Sequence, residues 1–382
     1  MKTLRVGMIG SGFMGRAHSN ALHSANMFMN MGVKLEPTIV SGLPKAEVKS
    51  FAKQFGWLEA TDNWKDIVKR DDIDIVFVLT PGNLHCENVV AACNAGKHVI
   101  CEKPLANTVA EAQKMVAAAK KNKVINMIGF TYRRLAAVNL AKKMIEKGKL
   151  GEIYHYRGLY LQDWIADPEF PLVWRLQKKL TGSGALGDIG AHTMDMAENL
   201  LGPITEVCGM VKTFITERPL MAESTGLSAK GAKKKGKVTV DDAAIIIGKF
   251  KNGALGTWEA SRFAVGNRNG HTFEINGSKG SLKFDLQDLN RLHYWDNTKP
   301  QAEQGWTNIL VTEPVHEYVN NWWPPGHIIG WEHSFVHQLA DFVKCVVKKK
   351  PATPDFAHGL HNQKLLDGVL TSSKTKRWVR IR

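Results

Sequence analysis

Residues 4–9, a strand-like apolar run, lead directly into Gly10-Ser11-Gly12-Phe13-Met14-Gly15, and a helical pattern through Ala17, Ala21 and Leu22 follows. No other stretch constrains the fold as strongly. A lone GxGxxG says little, but one that closes a strand and opens a helix is the fingerprint of a dinucleotide-binding βαβ unit. Gly10 permits the tight turn, Gly12 lets the backbone approach a pyrophosphate, and Gly15 lets helix and strand pack closely. The phosphates then rest on the amide groups of the helix N-terminus.

Further strand-like runs follow at 35–41, 73–80, 98–101 and 124–130, with helical patterns at 46–55, 64–69, 84–95 and 109–121. Alternation of this kind implies a parallel, doubly wound sheet. The fold class expected is therefore α/β, with a Rossmann domain over 1–130 and a second, α+β domain over 131–382. Ligands of such sheets bind at the carboxyl ends of the strands. Thr80-Pro81-Gly82-Asn83 lies at one such end, and Lys97–Thr108, KHVICEKPLANT, supplies another. There a short buried strand meets Glu102-Lys103-Pro104. Pro104 fixes its own φ and biases Lys103 away from the α region, so the lysine is held on a defined backbone. It is placed to exchange a proton with something bound above the sheet. The expected cofactor contacts are Gly10, Gly12, Phe13, Met14, Gly15, Ser41, Thr80, Pro81, Asn83, His85, Glu102 and Lys103. At the end of the second strand, Ser41-Gly42-Leu43-Pro44-Lys45 contains no carboxylate for a ribose 2′-hydroxyl, which leaves both NAD and NADP open.

From Glu152 the texture changes to longer alternating strands at 153–160, 206–214, 243–250, 254–262, 272–276, 281–285 and 291–295. This implies a large, mainly antiparallel sheet, with helices at about 136–147, 186–201 and 333–347. The insert 217–237, rich in Gly, Ser and Lys, is expected to be a mobile loop. Asp188 and His192 stand four apart at the start of a helical pattern and so share one face. A carboxylate one turn from an imidazole can fix its orientation, and both can face one ligand. Tyr160-Leu161-Gln162-Asp163-Trp164 and Trp174-Arg175 cluster hydrogen-bonding groups with indoles, and nine of the eleven tryptophans lie beyond residue 150. Flat rings with polar neighbours suit sugar recognition. His333 and His337 are also four apart, but with no third ligand motif they are read as helix surface, and no metal is expected.

Composition narrows the partners. The 382 residues carry a net charge of +15, scattered over helix-surface lysines with runs at Lys233–Lys235 and Lys348–Lys350. No nucleic-acid-reading motif accompanies it, so the charge is read as a solvated surface that favours an anionic cofactor or substrate. No apolar run reaches membrane-spanning length, and five cysteines without a CxxC pair read as reduced thiols of a cytoplasmic protein.

The opening GxGxxG, Glu102-Lys103-Pro104, and Asp188-x-x-x-His192 in a second domain together resemble the Gfo/Idh/MocA oxidoreductases, essentially end to end. The segment from Tyr160 to Trp174-Arg175, with Gly182-Ser183-Gly184-Ala185-Leu186-Gly187-Asp188, is most like the branch acting on levoglucosan and inositols. The resemblance implies Lys103, Asp188 and His192 as the catalytic trio. It implies substrate contacts from Tyr132, Gln162, Trp164, Trp174 and Arg175 beside that trio, and it favours NAD. A homodimer or homotetramer is also implied. The expected reaction is hydride transfer between a ring CH–OH carbon of a sugar or cyclitol and a nicotinamide. His192, an imidazole with a reference pKa of about 6.5, would serve as general base. Two alternatives share the motifs: glycoside cleavage through transient oxidation with tightly held NAD, and non-catalytic dinucleotide sensing.

Overall fold

The computed structural model describes residues 2–225 and 228–382. Two compact units emerge, one built from the chain up to Thr131 together with Glu332–Gln363, the other from Tyr132–Ser224, Ala229–Trp331 and Lys364–Arg382. Sequence texture alone assigns Glu332–Gln363 to the second half, whereas its contacts lie with the first.

In the first unit, chain order runs β1 (Thr3–Ile9), α1 (Phe13–Phe28), β2 (Lys34–Ser41), α2 (Lys45–Phe55), β3 (Glu59–Thr61), α3 (Lys65–Val68) and β4 (Ile75–Val78). It continues through α4 (Gly82–Asn94), β5 (His98–Cys101), α5 (Val109–Lys121) and β6 (Asn126–Ile128). The strands form one sheet of order β3-β2-β1-β4-β5-β6, paired in parallel. Parallel strands are covered on both faces, and all four residues of β4 are accordingly apolar and buried. Strand order reverses between β1 and β4, so their carboxyl ends open the crevice where ligands of such sheets bind. α5 starts on a capping box between Thr108 and Glu111, and α2 stops at Gly56 in the left-handed region. The edge strand β3, Glu-Ala-Thr, carries no apolar pattern and is invisible in the sequence.

The second unit begins with α6 (Ala136–Glu146), β7 (Ile153–Leu161), α7 (Lys178–Thr181) and α8 (Ala191–Leu201). The strands β8 (Ile204–Lys212), β9 (Glu217–Thr225), β10 (Ser228–Lys237), β11 (Ala243–Phe250), β12 (Leu255–Ser261) and β13 (Gly270–Gly277) follow. Next are β14 (Gly280–Asp285), β15 (Arg291–Asp296) and β16 (Trp306–Leu310). Last in the chain are α9 (His333–Lys348), α10 (Phe356–Thr375) and β17 (Val379–Arg380), of which α9 and α10 up to Gln363 belong to the first unit. The large sheet has the order β16-β15-β14-β13-β7-β12-β11-β8-β17 and is antiparallel except where β7 meets β12. β11 alternates cleanly: Ala244, Ile246 and Phe250 are buried while Ile245 and Ile247 face out. Trp258 fills the buried side, and Gly248 and Gly256 leave room for its indole, since a Cβ at Gly256 would stand 2.1 Å from the ring.

Two expectations fail here. The insert 217–237 is a two-stranded ribbon of β9 and β10 rather than a loop, with residues 226–227 outside the described residues. Its composition hides the strands because its anchors are not an apolar stripe. Arg218 is fully buried and donates to the carbonyls of Asp167, Phe170 and Ile165. The absence of side chains at Gly231 and Gly236 makes room for Pro219 and Leu220. His337, read as helix surface, is completely buried among the inward-facing residues of α9.

Candidate active site

The candidate nucleotide site belongs to the first unit. Gly10 has φ +113°, and a Cβ there would meet the Leu79 carbonyl oxygen at 2.9 Å. A Cβ at Gly15 would stand 2.7 Å from the Gly10 carbonyl oxygen, so helix and turn close only around glycine. Gly12, the N-cap of α1, has nothing within 4 Å of its Cβ position. The helix start has no side-chain cap and no acidic residue in its first turn, leaving its amide groups to an anion. These features fit a dinucleotide pyrophosphate. Around the turn, Phe13 is 43% exposed and Met14 half-buried, while Ser41 is buried and its neighbour Gly42 seats the Ser11 hydroxyl. Thr80, Pro81 and Asn83, at the mouth of β4, are half-exposed, and the Thr80 hydroxyl donates to Asn88 Oδ1 at 3.3 Å.

The side chains of His85 and Glu102, both among the expected cofactor contacts, are held by the protein itself. His85 is buried, with Nε2 2.7 Å from the Thr80 carbonyl and Nδ1 3.0 Å from that of Pro104. Burial pushes its pKa below the usual imidazole value, against the pull of those carbonyls. It ties the two strand-end loops together. Glu102 is 5% exposed, and its Oε1 lies 3.0 Å from Nε2 of the buried His18. Its Oε2 accepts the Lys103 amide at 3.2 Å. Lys103 itself is half-buried directly beyond β5.

In the second unit a short 3-10 turn, Thr131–Arg134, presents Tyr132. Arg133 beside it forms a buried two-pronged pair with Asp195, at 2.8 and 2.5 Å, which ties that turn to α8. A hydrogen-bond chain runs from there. Trp331 Nε1 donates to the Tyr132 hydroxyl at 3.2 Å, and the Tyr132 and Tyr160 hydroxyls lie 2.9 Å apart. Tyr160 donates to Asn269 Oδ1 at 2.8 Å, so its oxygen is left to accept from Tyr132. Gln162 Nε2 donates to the same Asn269 oxygen at 2.8 Å, and Gln162 Oε1 accepts from Trp164 Nε1 at 3.0 Å. Tyr132, Gln162 and Trp164 are thereby brought into one wall.

Asp188 lies in a π-helical turn, Leu186–Gly190, rather than in the α-helix expected there, and His192 occupies the first turn of α8. Such wide turns recur at functional sites. Asp241 holds the turn in place: its carboxylate accepts the amides of Gly184 and Leu186, both at 2.7 Å. Gly184 is obligatory, since a Cβ would stand 1.8 Å from the Asp241 carbonyl oxygen. Asp188 Oδ2 is 3.7 Å from the guanidinium of Arg262, which is 1% exposed and lies 5.5 Å from the Trp164 ring centroid. Arg175 stacks over Trp174 at 4.3 Å. Burial lowers the Arg175 pKa, and the nearby Asp188 charge opposes that shift. His192, 9% exposed, packs on Tyr132 with ring centroids 4.7 Å apart. Sequence reasoning missed Arg262, His271, Asn269 and Trp331. Each sits in a strand or loop whose pattern carries no chemical signal. Among the described residues, no three His, Cys, Asp or Glu side chains are grouped to hold a metal ion.

The glycine turn on a parallel sheet of this order defines a dinucleotide-binding domain. Residues 4–130 match the oxidoreductase family with NAD-binding Rossmann fold, and residues 138–283 match the GFO/IDH/MocA C-terminal domain. The chain belongs to the Gfo/Idh/MocA family. It is 40% identical, over 99% of its length and 98% of the relative's, to levoglucosan dehydrogenase of Pseudarthrobacter phenanthrenivorans. A crystal structure of an oxidoreductase domain protein from Kribbella flavida matches at 48% identity and a TM-score of 0.96, covering 100% of both chains. Levoglucosan dehydrogenase in complex with NADH and levoglucosan matches at 38% identity and a TM-score of 0.94, again over 100% of both.

Proposed function

We propose that this oxidoreductase oxidises a secondary ring hydroxyl of a sugar, an anhydrosugar such as levoglucosan, or a cyclitol, with NAD as the acceptor. The near full-length similarity to a levoglucosan dehydrogenase carries this reading. The nicotinamide, when bound, accepts the hydride. The chain must hold the sugar ring and manage one proton. Trp164 and Trp174 offer flat apolar faces to the ring, while Gln162, with its hydrogen bonds to Trp164 and Asn269 in place, retains one amide hydrogen for a sugar oxygen. Asp188, backed by the Arg262 and Arg175 guanidiniums, acts as a charged acceptor that orients the hydroxyl. His192 takes the hydroxyl proton, and Lys103 hydrogen-bonds the reacting oxygen.

NAD is favoured over NADP because the similar levoglucosan dehydrogenase structures are complexes with NADH. The apolar residues Ile245, Ile247, Leu255 and Met210 on the outward side of the large sheet suit a homodimer or homotetramer. Cysteines that form no disulfide among the described residues fit a reducing, cytoplasmic setting.

The test is reduced-nicotinamide absorbance with NAD⁺ or NADP⁺ against levoglucosan, glucose, inositols and simple glucosides. A rise with one sugar is the expected result. Release of an aglycone without net reduced cofactor would replace this reading with transient-oxidation cleavage. Lys103→Ala and His192→Ala are each expected to lower kcat by about 10²–10⁴-fold with NADH affinity near wild type.

A further inference from the structure

We propose that His18, acting through Glu102, is a positioning residue for Lys103. The inference rests on the assignment of Lys103 to the proton-handling step. Three observations in the first unit carry it. First, His18 and Glu102 are 84 residues apart in sequence, yet their side chains meet at 3.0 Å with 2% and 6% exposure. Second, the two oxygens of this carboxylate have different tasks: Oε1 faces His18, and Oε2 accepts the Lys103 amide at 3.2 Å. Third, the surroundings are shaped for the pair. The His18 ring lies 5.4 Å from Phe77 and 5.4 Å from Phe335, and a Cβ at Gly129 would stand 2.9 Å from Glu102 Oε1.

A carboxylate in so dry a place needs a partner. His18 supplies an N–H to one oxygen, which leaves the other in one place to hold the peptide of Lys103. His18 lies on α1, the helix whose first turn forms the glycine-lined nucleotide site. The same helix therefore sets both the phosphate position and the backbone from which Lys103 projects. The histidine touches neither cofactor nor substrate in this role.

The test uses the full-length enzyme, titrated with NADH by fluorescence so that turnover is counted per nucleotide-binding site. The sugar giving the highest rate in the panel above is the substrate. His18→Leu is expected to lower turnover per site by about 10–100-fold, the loss that follows from displacing a catalytic group by about 1 Å. NADH affinity stays near wild type. His18→Gln, which keeps an N–H donor at a similar reach, recovers most of the loss. Deuterium uptake of the peptide spanning 99–105 rises in His18→Leu and returns towards wild type in His18→Gln. Should His18→Leu fail to bind NADH, Glu102→Asp decides. Its shortened carboxylate cannot span both partners, and it is expected to lose about 10-fold in turnover on the same grounds. Wild-type turnover and unchanged deuterium uptake in either nucleotide-binding variant would overturn the proposal. Wild-type turnover in Lys103→Ala would instead overturn the catalytic reading beneath it.

Discussion

His271 makes the second unit sensitive to acid in a way that can be calculated. It is 1% exposed, and neither ring nitrogen has a hydrogen-bond partner. Its ring stacks on Tyr160 at 4.6 Å and lies 5.4 Å from Tyr132. Burial pushes its pKa from 6.5 down to about 3. The folded chain therefore refuses a proton that the unfolded chain accepts. This histidine does not affect stability above the unfolded value. As pH falls from about 6.5 towards 3, it removes about 1.4 kcal/mol per pH unit. Near pH 4.5 the loss is about 3 kcal/mol, or about 6–12 °C in Tm for a unit of this size. His271→Phe keeps a stacking ring and removes the titration. Because no hydrogen bond is lost, the substitution should cost little at neutral pH. Thermal melts of both proteins across this pH range are the assay, with carboxylate titration providing a shared background. The decline in Tm should be shallower in His271→Phe by that amount. Equal slopes would refute the reasoning. So would a loss of more than about 3 kcal/mol at neutral pH, since that would mean the imidazole nitrogens carry a bond in solution.

Four further outcomes follow from the packing. Gly12→Ala meets no protein atom but intrudes on the phosphate space, so NADH titration should show affinity lowered by about tenfold or more with Tm unchanged. Gly15→Ala, crowded against the Gly10 carbonyl, should lower both. Asp195→Asn leaves Arg133 buried without its carboxylate and should cost about 3–5 kcal/mol in thermal or denaturant unfolding. Ile247→Lys adds charge to the outward apolar side of the large sheet, and light scattering after gel filtration should show smaller species than wild type if that side joins protomers.

Much of the first unit was legible because its signals are local. The strand before Gly10, the glycine spacing and the βα alternation can all be read within about twenty residues, and they dictate a dinucleotide turn wherever the sheet forms. Helix α5 begins and ends where its pattern does, since the Thr108–Glu111 box is a local device. The strand β11 was legible as an apolar run, but with Ile245, Ile246 and Ile247 in succession only the sheet decided which face is buried. Lys103, Asp188 and His192 stood out by their short motifs and neighbouring residue types.

Tertiary structure decided what those residues are surrounded by. Nothing near Glu102 in sequence announces His18, and nothing near Asp188 announces Arg262, which arrives just beyond β12. The three backbone carbonyls around the buried His85 come from two separate loops. The ribbon of β9 and β10 was hidden because Arg218 and two glycines anchor it without an apolar stripe. The physical reason is common to all four cases. Periodicity reports which face of a segment leaves water, but a buried polar group is satisfied by whichever element the topology brings beside it, and that partner is distant in sequence.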